Sequence, residues 1–320
     1  MIDIESVDEA RNLKADDYYR HLIRRNQGLV SSEAQDRIGA ALVLVAGCGS
    51  VGGAAIQPLA RIGFRDFRLA DSGNYELNNL NRQAAFIDDL GRNKAEAGAD
   101  AIRRINPHSG VAVYSEGVTV ENARDLVRGV DVIVDGVDVT TRSGLTAKMA
   151  LHEAALEARK PLITGWDLAG VMCAQYFDYR HVRRIFDGAI ETAELPTLAI
   201  WEAVFRIAPM RHMPGLMLLE LAANITDPDY SVPQLPEAAW QFGSLACHMA
   251  VRAVSGRKVP RNVPVDVHRL TSTLPERLWQ SAVLPLGYLR LLRTLGLPRI
   301  LDSLIPAHSV LRITTPGRAA

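Results

Sequence analysis

Three glycines at fixed spacing, Gly47-x-Gly49-x-x-Gly52, open the list of residues in this 320-residue chain that could do chemistry. Gly47 permits a tight turn, Gly49 leaves room for a phosphate near the backbone, and Gly52 lets a helix pack on a strand. A helix starting there offers unpaired N–H groups and a positive dipole end to an anion. Asp71 follows about 19 residues after Gly52, where an acid commonly holds a ribose hydroxyl. The run Asn79-Leu80-Asn81-Arg82-Gln83 then supplies amides and an arginine. Such groups suit triphosphate or base recognition, and equally ordinary turn chemistry. Lys94 begins a helix, where a cation opposes the dipole unless it has an anion to bind. Asp138 lies just past a strand's carboxyl end, where doubly wound sheets place ligands.

These residues need elements to position them. The apolar run 42–46 reads as a buried parallel strand, 54–60 as the helix after the glycines, and 67–70 as a second strand. Further on, the pattern gives a helix over 95–105 stopped by Asn106-Pro107, a strand at 111–114 and a helix at 121–128. A strand at 130–134, a helix over 142–159 and strand-like runs at 161–164 and 171–179 follow. Residues 7–38 are polar and read as helical, with Arg20, Arg24, Arg25 and Arg37 on a solvated face. Prolines 196, 209, 214, 228, 233 and 236 break up the segment 181–236, which reads as a cap with short helices near 195–205 and 215–223. An apolar helix over 238–256 ends at Gly256. In the tail, the stretch 278–305 is apolar and studded with arginine, and its proline and glycine breaks predict two or three short amphipathic helices.

The expected fold is therefore α/β: a Rossmann-like, mostly parallel sheet with helices on both faces and later strands antiparallel, plus a helical cap and a helical C-terminal extension. The expected divisions are a helical arm at 1–39, the nucleotide-binding core at 40–180, the cap at 181–236, a core helix at 237–256 and a basic extension at 257–320. A hydrophobic content of 48% and 22% charged residues fit a chain with a real core. Thirty-six basic and 36 acidic residues balance, which argues against a general nucleic-acid binder. The balance is uneven: residues 257–320 hold ten basic and three acidic side chains, so +7 there and −7 in the rest. The acidic start, Met1-Ile2-Asp3-Ile4-Glu5, is not a signal peptide, and no apolar run spans a membrane, so a cytoplasmic protein is expected.

In order and spacing, Gly47-x-Gly49-x-x-Gly52, Asp71, Asn79-Leu80-Asn81-Arg82-Gln83, Lys94 and Asp138 resemble the ThiF/MoeB/HesA adenylyltransferases of the ubiquitin-activating-enzyme superfamily. The likeness covers roughly residues 15–180 and the helix at 238–256. It implies Mg-ATP-dependent adenylation of a carboxylate, often the C-terminus of a peptide or small ubiquitin-like or sulfur carrier, with release of pyrophosphate. It also implies roles: Gly47, Gly49, Ser50 and Gly52 at the phosphates, Asp71 at the ribose, Asn79, Arg82 and Lys94 at the phosphates, and Asp138 on Mg²⁺. Arg20, in Tyr18-Tyr19-Arg20-His21, matches an arginine that reaches into the partner's site in family homodimers. Arg20, Arg82, Lys94 and Asp138 are thus the expected catalytic set. Pre-placed positive charge suits in-line attack on the α-phosphate, and an already ionised carboxylate needs no general base.

The departures from the family pattern carry their own expectations. Ser50 stands where glycine is usual and either donates its hydroxyl to phosphate or tightens the turn; Gly73 replaces an acid and Val139 an asparagine. The family's zinc-binding Cys-x-x-Cys pairs are absent, so no zinc is expected. Cys48, Cys173 and Cys247 read as core or filler, which suggests adenylation without transfer to a thiol. Glu76 and Asp167 read as surface or capping carboxylates, and Trp166, Trp201 and Trp240 as core packing or pocket lining. His108 fits a turn, and His181, His212 and His248 share no metal spacing. Other readings are the transfer-RNA nucleoside-cyclising branch of the superfamily, an inactive nucleotide-binding scaffold, and an NAD-dependent dehydrogenase. The acidic balance of residues 1–256 weighs against the transfer-RNA branch and the basic tail favours it, while the Asn79–Gln83 element weighs against the dehydrogenase.

Overall fold

The computed structural model describes residues 4–227 and 230–295. Met1–Asp3, Pro228, Asp229 and the end of the tail, 296–320, lie outside the described residues. Seven strands form one sheet: β1 (Leu42–Ala46), β2 (Asp66–Ala70), β3 (Gly110–Tyr114), β4 (Val132–Asp135), β5 (Pro161–Leu168), β6 (Val171–Asp178) and β7 (Asn262–Asp266). Their order is β3-β2-β1-β4-β5-β6-β7. The first five run parallel, and β6 and β7 run antiparallel to their neighbours. The chain leaves β1 toward β2 on one side and returns to β4 on the other, so a crevice opens at the carboxyl ends of β1 and β4.

Both faces of the sheet are covered. Val43, Val45, Val132, Val134 and Ile163 face the helices Ser32–Ala40, Ser50–Ile62, Lys94–Ile105 and Pro236–Val254. Leu44, Ile133, Leu162 and Phe177 face the helix Arg142–Glu157 and the cap. The cap helices Ile200–Ile207 and Gly215–Asn224 bury Phe205, Met217 and Leu218 in that same cluster.

Several elements differ from the sequence-based expectation. The first helix of the core begins at Ser50, not at 54, so the last glycines form its opening turn. Strand β5 continues to Leu168 because a two-residue turn, Ala169 (φ 50°) and Gly170 (φ 93°), carries it directly into β6. Strand β7 lies in the tail, which was expected to be helical; Pro264 interrupts its pattern but is tolerated on an edge strand. After a short helix, Val267–Thr271, the tail forms a 22-residue helix, Leu274–Leu295, that runs unbroken through Pro285; the rest of the stretch expected to break into short helices, 296–305, lies outside the described residues. Packing holds the long helix together. A Cβ at Gly287 would stand 2.7 Å from the Gly215 carbonyl oxygen, so two backbones touch where side chains would keep them apart. Val283 and Leu291 are buried on either side of that crossing. No helix among the described residues is long and apolar enough to cross a membrane.

Candidate active site

The glycine turn is shaped by close contact. Gly47 has φ +80°, and a Cβ there would lie 2.4 Å from the Gly136 oxygen, in the turn after β4. A Cβ on Gly52 would fall 1.8 Å from the Gly47 oxygen. Gly49 is different: the nearest atom to its Cβ position is Gln83 Oε1 at 3.6 Å. The first hydrogen bond of the following helix runs from Gly53 N–H to the Gly49 carbonyl at 2.9 Å. The N–H groups of Ser50, Val51 and Gly52 thus have no partner within the helix, and no side chain caps it. Ser50 Oγ and Gln83 Oε1 are buried without a hydrogen-bond partner beside this turn. Unfilled donors at a dipole's positive end fit a phosphate group.

Asp71, at the end of β2, pins the turn. Its Oδ2 accepts the Cys48 N–H at 2.6 Å and its Oδ1 the Gly73 N–H at 2.7 Å. Lys94 folds back toward the same spot, its Nζ 3.5 Å from the position of a Gly73 Cβ and Asp71 Oδ1 3.1 Å from it. An acidic side chain at 73 would have to enter between the two. Asn93, not Lys94, caps that helix, accepting the Ala95 and Glu96 N–H groups and donating to the Asp71 carbonyl at 2.8 Å.

Asn79 is buried and tied into its own loop, its Oδ1 accepting the Glu76 N–H at 3.2 Å. Glu76 is exposed. Arg82 donates to Gln234 Oε1 at 2.5 Å, to the Asn78 carbonyl at 3.1 Å and to Asn81 Oδ1 at 2.8 Å. Asp138 is exposed on the loop after β4, its two oxygens accepting the Thr140 N–H (3.0 Å) and hydroxyl (2.7 Å). It is the kind of single carboxylate that Mg²⁺ takes together with phosphate oxygens.

The fold thus gathers Gly47, Gly49, Ser50, Gly52, Asp71, Asn79, Arg82, Lys94 and Asp138 around the carboxyl edge of the sheet. Arg20 is not among them. Its helix, Ala15–Leu22, docks through Tyr18, whose hydroxyl donates to the Ile105 carbonyl at 2.7 Å, and through Tyr19 against Gly39 and Gly63. Those contacts sit where the core helices end and β1 begins, the opposite edge of the sheet. Arg20 itself pairs with Asp17, its side chain 65% exposed.

Beneath the Asp138 loop lies a buried polar network that sequence reading missed. Lys148 Nζ stands 2.6 Å from Asp135 Oδ2 and donates to Thr164 Oγ1 (3.0 Å) and the Val137 carbonyl (3.4 Å). His152 Nε2 lies 3.0 Å from the same Asp135 oxygen, and His152 Nδ1 2.6 Å from the Tyr179 hydroxyl. Burial alone would raise the Asp135 carboxyl, but Lys148 and His152 outweigh it and hold it low. Burial depresses His152 to about 4, against the opposing pull of Asp135. The neutral ring therefore donates through Nε2 to Asp135 and accepts from Tyr179. Asp135 Oδ1 also accepts the Val137 N–H at 3.0 Å, so the network holds the turn that leads to Asp138. The available signal was an aspartate ending a strand before a helix with Lys and His four apart on one face.

Asp167, read as a surface or capping carboxylate, is not at the surface: both oxygens are buried, beside the Ala169 and Leu235 amides but without a completed hydrogen bond. The thiols are quiet. Burial pushes Cys48 well up, Cys173 to about 11 and Cys247 to about 12. Trp166 is buried and donates to Gln175 Oε1 at 2.8 Å, whereas Trp240 is 61% exposed.

A nucleotide-type crevice on a Rossmann-like sheet defines the class. The chain belongs to the ThiF family, whose sequence model matches residues 23–263. It is 37% identical over 124 residues to the SAMP-activating enzyme E1 of Haloferax volcanii, covering 38% of this chain and 45% of that protein. It is 30% identical over 151 residues to the sulfur carrier protein adenylyltransferase of Thermus thermophilus, covering 47% of this chain and 53% of that one. The chain therefore spans about half the length of these relatives. Among solved structures, E. coli tRNA N6-threonylcarbamoyladenosine dehydratase, TcdA, in complex with ATP superposes with a TM-score of 0.53 at 22% identity, covering 76% of this chain and 98% of that one.

Proposed function

We infer that the protein uses ATP to adenylate a carboxylate, forming an acyl-adenylate and releasing pyrophosphate. The observation that carries this reading is the glycine turn, with three N–H groups lacking helical partners and an unpartnered Ser50 hydroxyl, ringed by Asp71, Lys94, Arg82 and Asp138. The turn amides and Ser50 hold phosphate oxygens, and Asp71 holds the ribose while keeping the turn in place. Attack of the acid's oxygen on the α-phosphorus forms a P–O bond and breaks the one to the leaving pyrophosphate. Arg82 and Lys94 stabilise the charge that develops. Asp138 would hold Mg²⁺, which when bound would supply positive charge for the leaving pyrophosphate. The acid is a peptide or a small carrier's C-terminus, and with no reactive thiol among the described residues the adenylate passes to an external acceptor.

Arg20 sits at the wrong edge to serve its own chain's site, so its role requires a homodimer in which it enters the partner's site. The test is to mix two inactive variants, Arg20→Ala and Asp138→Ala. A shared site returns activity, up to about a quarter of wild type, because a mixed dimer has one complete site. No recovery, with both variants folded and dimeric, removes Arg20 from the mechanism. Binding is tested by melting: Mg-ATP raises the melting temperature and NAD does not. The reverse result would establish the dehydrogenase reading instead. ATP–pyrophosphate exchange stimulated by transfer RNA and by no protein or peptide acid would move the protein to the nucleoside-cyclising branch.

A further inference from the structure

Strand β5 outruns its neighbours at the carboxyl edge. Asp135, the last residue of β4, pairs with Ala46 of β1 and with Thr164 of β5, and β5 continues to Leu168. Asp167 is three residues beyond that level, about 10 Å farther out at the rise of a strand. Alternation puts it on the same face as Gly165. That face looks at the phosphate turn: a Cβ at Gly165 would lie 2.7 Å from Val51 and 2.4 Å from Phe242. Asp167 thus lies at the carboxyl edge on the face of the nucleotide turn, its oxygens covered in the unliganded chain.

Its neighbours leave it unneutralised. Arg82 is nearby, but its guanidinium donates to Gln234, Asn78 and Asn81. Glu237 adds a second negative charge and is engaged by His268 at 2.6 Å. The Ala169 and Leu235 amides are close, yet neither completes a hydrogen bond to the carboxyl. Burial pushes this carboxyl up to about 7, with Arg82 opposing the rise and Glu237 adding to it. When Arg82 turns to phosphate, Asp167 loses that opposing charge. A buried carboxylate in that position is costly beside ATP and a second carboxylate, unless its guest is positive.

We propose that Asp167 pairs with a protonated amine carried by the acid that this site activates, so that the substrate is an amino acid or a peptide end bearing an amine near the reacting carboxylate. The inference rests on the adenylation reading; it keeps the peptide end and puts a free amino acid in place of a carrier's C-terminus. The carboxylate of such a zwitterion faces Arg82 and the α-phosphate, and its ammonium faces Asp167. An acid without the amine leaves Asp167 to take up a proton or repel it.

The test is ATP–pyrophosphate exchange with ω-amino acids of increasing length, from glycine through 4-aminobutyrate to 6-aminohexanoate, each against its monocarboxylate of equal length. ATP protection in a melting assay is measured first on wild type and on Asp167→Asn, which checks that the variant folds. At least one amino acid should outperform its match by about tenfold or more, the worth of a charged hydrogen bond. Asp167→Asn should bring that ratio close to one. With ATP binding intact, a ratio at or below one across the series overturns the inference, as does a ratio unchanged in Asp167→Asn. Absence of ATP protection in wild type overturns the adenylation reading itself, and the two failures are told apart by that first measurement.

Discussion

Replacing Lys148 by Met removes one charge from the buried network and keeps most of the side chain's apolar length. Lys148 Nζ is 2.6 Å from Asp135 Oδ2, and the two side chains are 3% and 0% exposed. Removing one partner of such a pair costs about 3–5 kcal/mol, because the other charge stays buried and uncompensated. That is a large share of the roughly 5–15 kcal/mol that holds a domain together. His152 sets the pH dependence. The Lys148 charge helps keep it neutral and Asp135 favours its protonated form, so in Lys148→Met it takes up a proton more readily. The variant should therefore be least stable relative to wild type at pH 8 and recover part of the loss at pH 6. Urea denaturation at both values measures this. Adding Asp135→Asn, which removes the stranded charge, should restore about 1–3 kcal/mol, as close charged partners couple. A cost under about 1 kcal/mol, equal at both pH values and additive with Asp135→Asn, would refute the network's role.

Three further outcomes follow from the geometry. Gly52→Ala should both destabilise the protein and abolish ATP protection, since its Cβ falls 1.8 Å from the Gly47 oxygen, whereas Gly49→Ala, with its nearest contact at 3.6 Å, should fold and lose only ATP; melting with and without nucleotide separates them. His152, depressed from 6.5 to about 4, contributes stability that is full above pH 6.5 and lost as pH falls through 4, while Asp167, raised from 3.8 to about 7, contributes stability that is full below 3.8 and lost as pH rises through 7. The two oppose each other between pH 4 and 6.5, each worth on the order of 3–4 kcal/mol in full, so Asp167→Asn should show stability rising with pH more steeply than wild type in denaturant titrations. Cys48, Cys173 and Cys247 should react with a thiol reagent at pH 8 only on unfolding, since burial raises all three thiols; rapid labelling of the folded protein would reopen a thioester step.

The sequence made the nucleotide half readable because its physics is local. A glycine turn between a strand and a helix fixes the phosphate site within twelve residues, and β1 to β4 are short apolar runs with clear stops. The helix start was misplaced because Gly52 and Gly53 look like turn residues, although close packing on Gly47 and Cys48 is what demands them. Tail elements were misread for the opposite reason. Pro264, Pro285 and Gly287 are breakers by propensity, but an edge strand accepts the first and packing on the Gly215 helix overrides the others. The Lys148–His152 network was invisible because its partners come from distant segments, and the burial of Asp167 could not be read because only the fold shows which carboxylate is left without a partner.

Magnesium-dependent ATP–pyrophosphate exchange on the purified protein tests adenylation most directly. The mechanism predicts exchange that depends on an added acid and falls by about 10²–10³ in Arg82→Ala or Lys94→Ala, with Asp138→Ala inactive at low Mg²⁺. ATP protection absent in wild type, or exchange that survives all three substitutions, would contradict it.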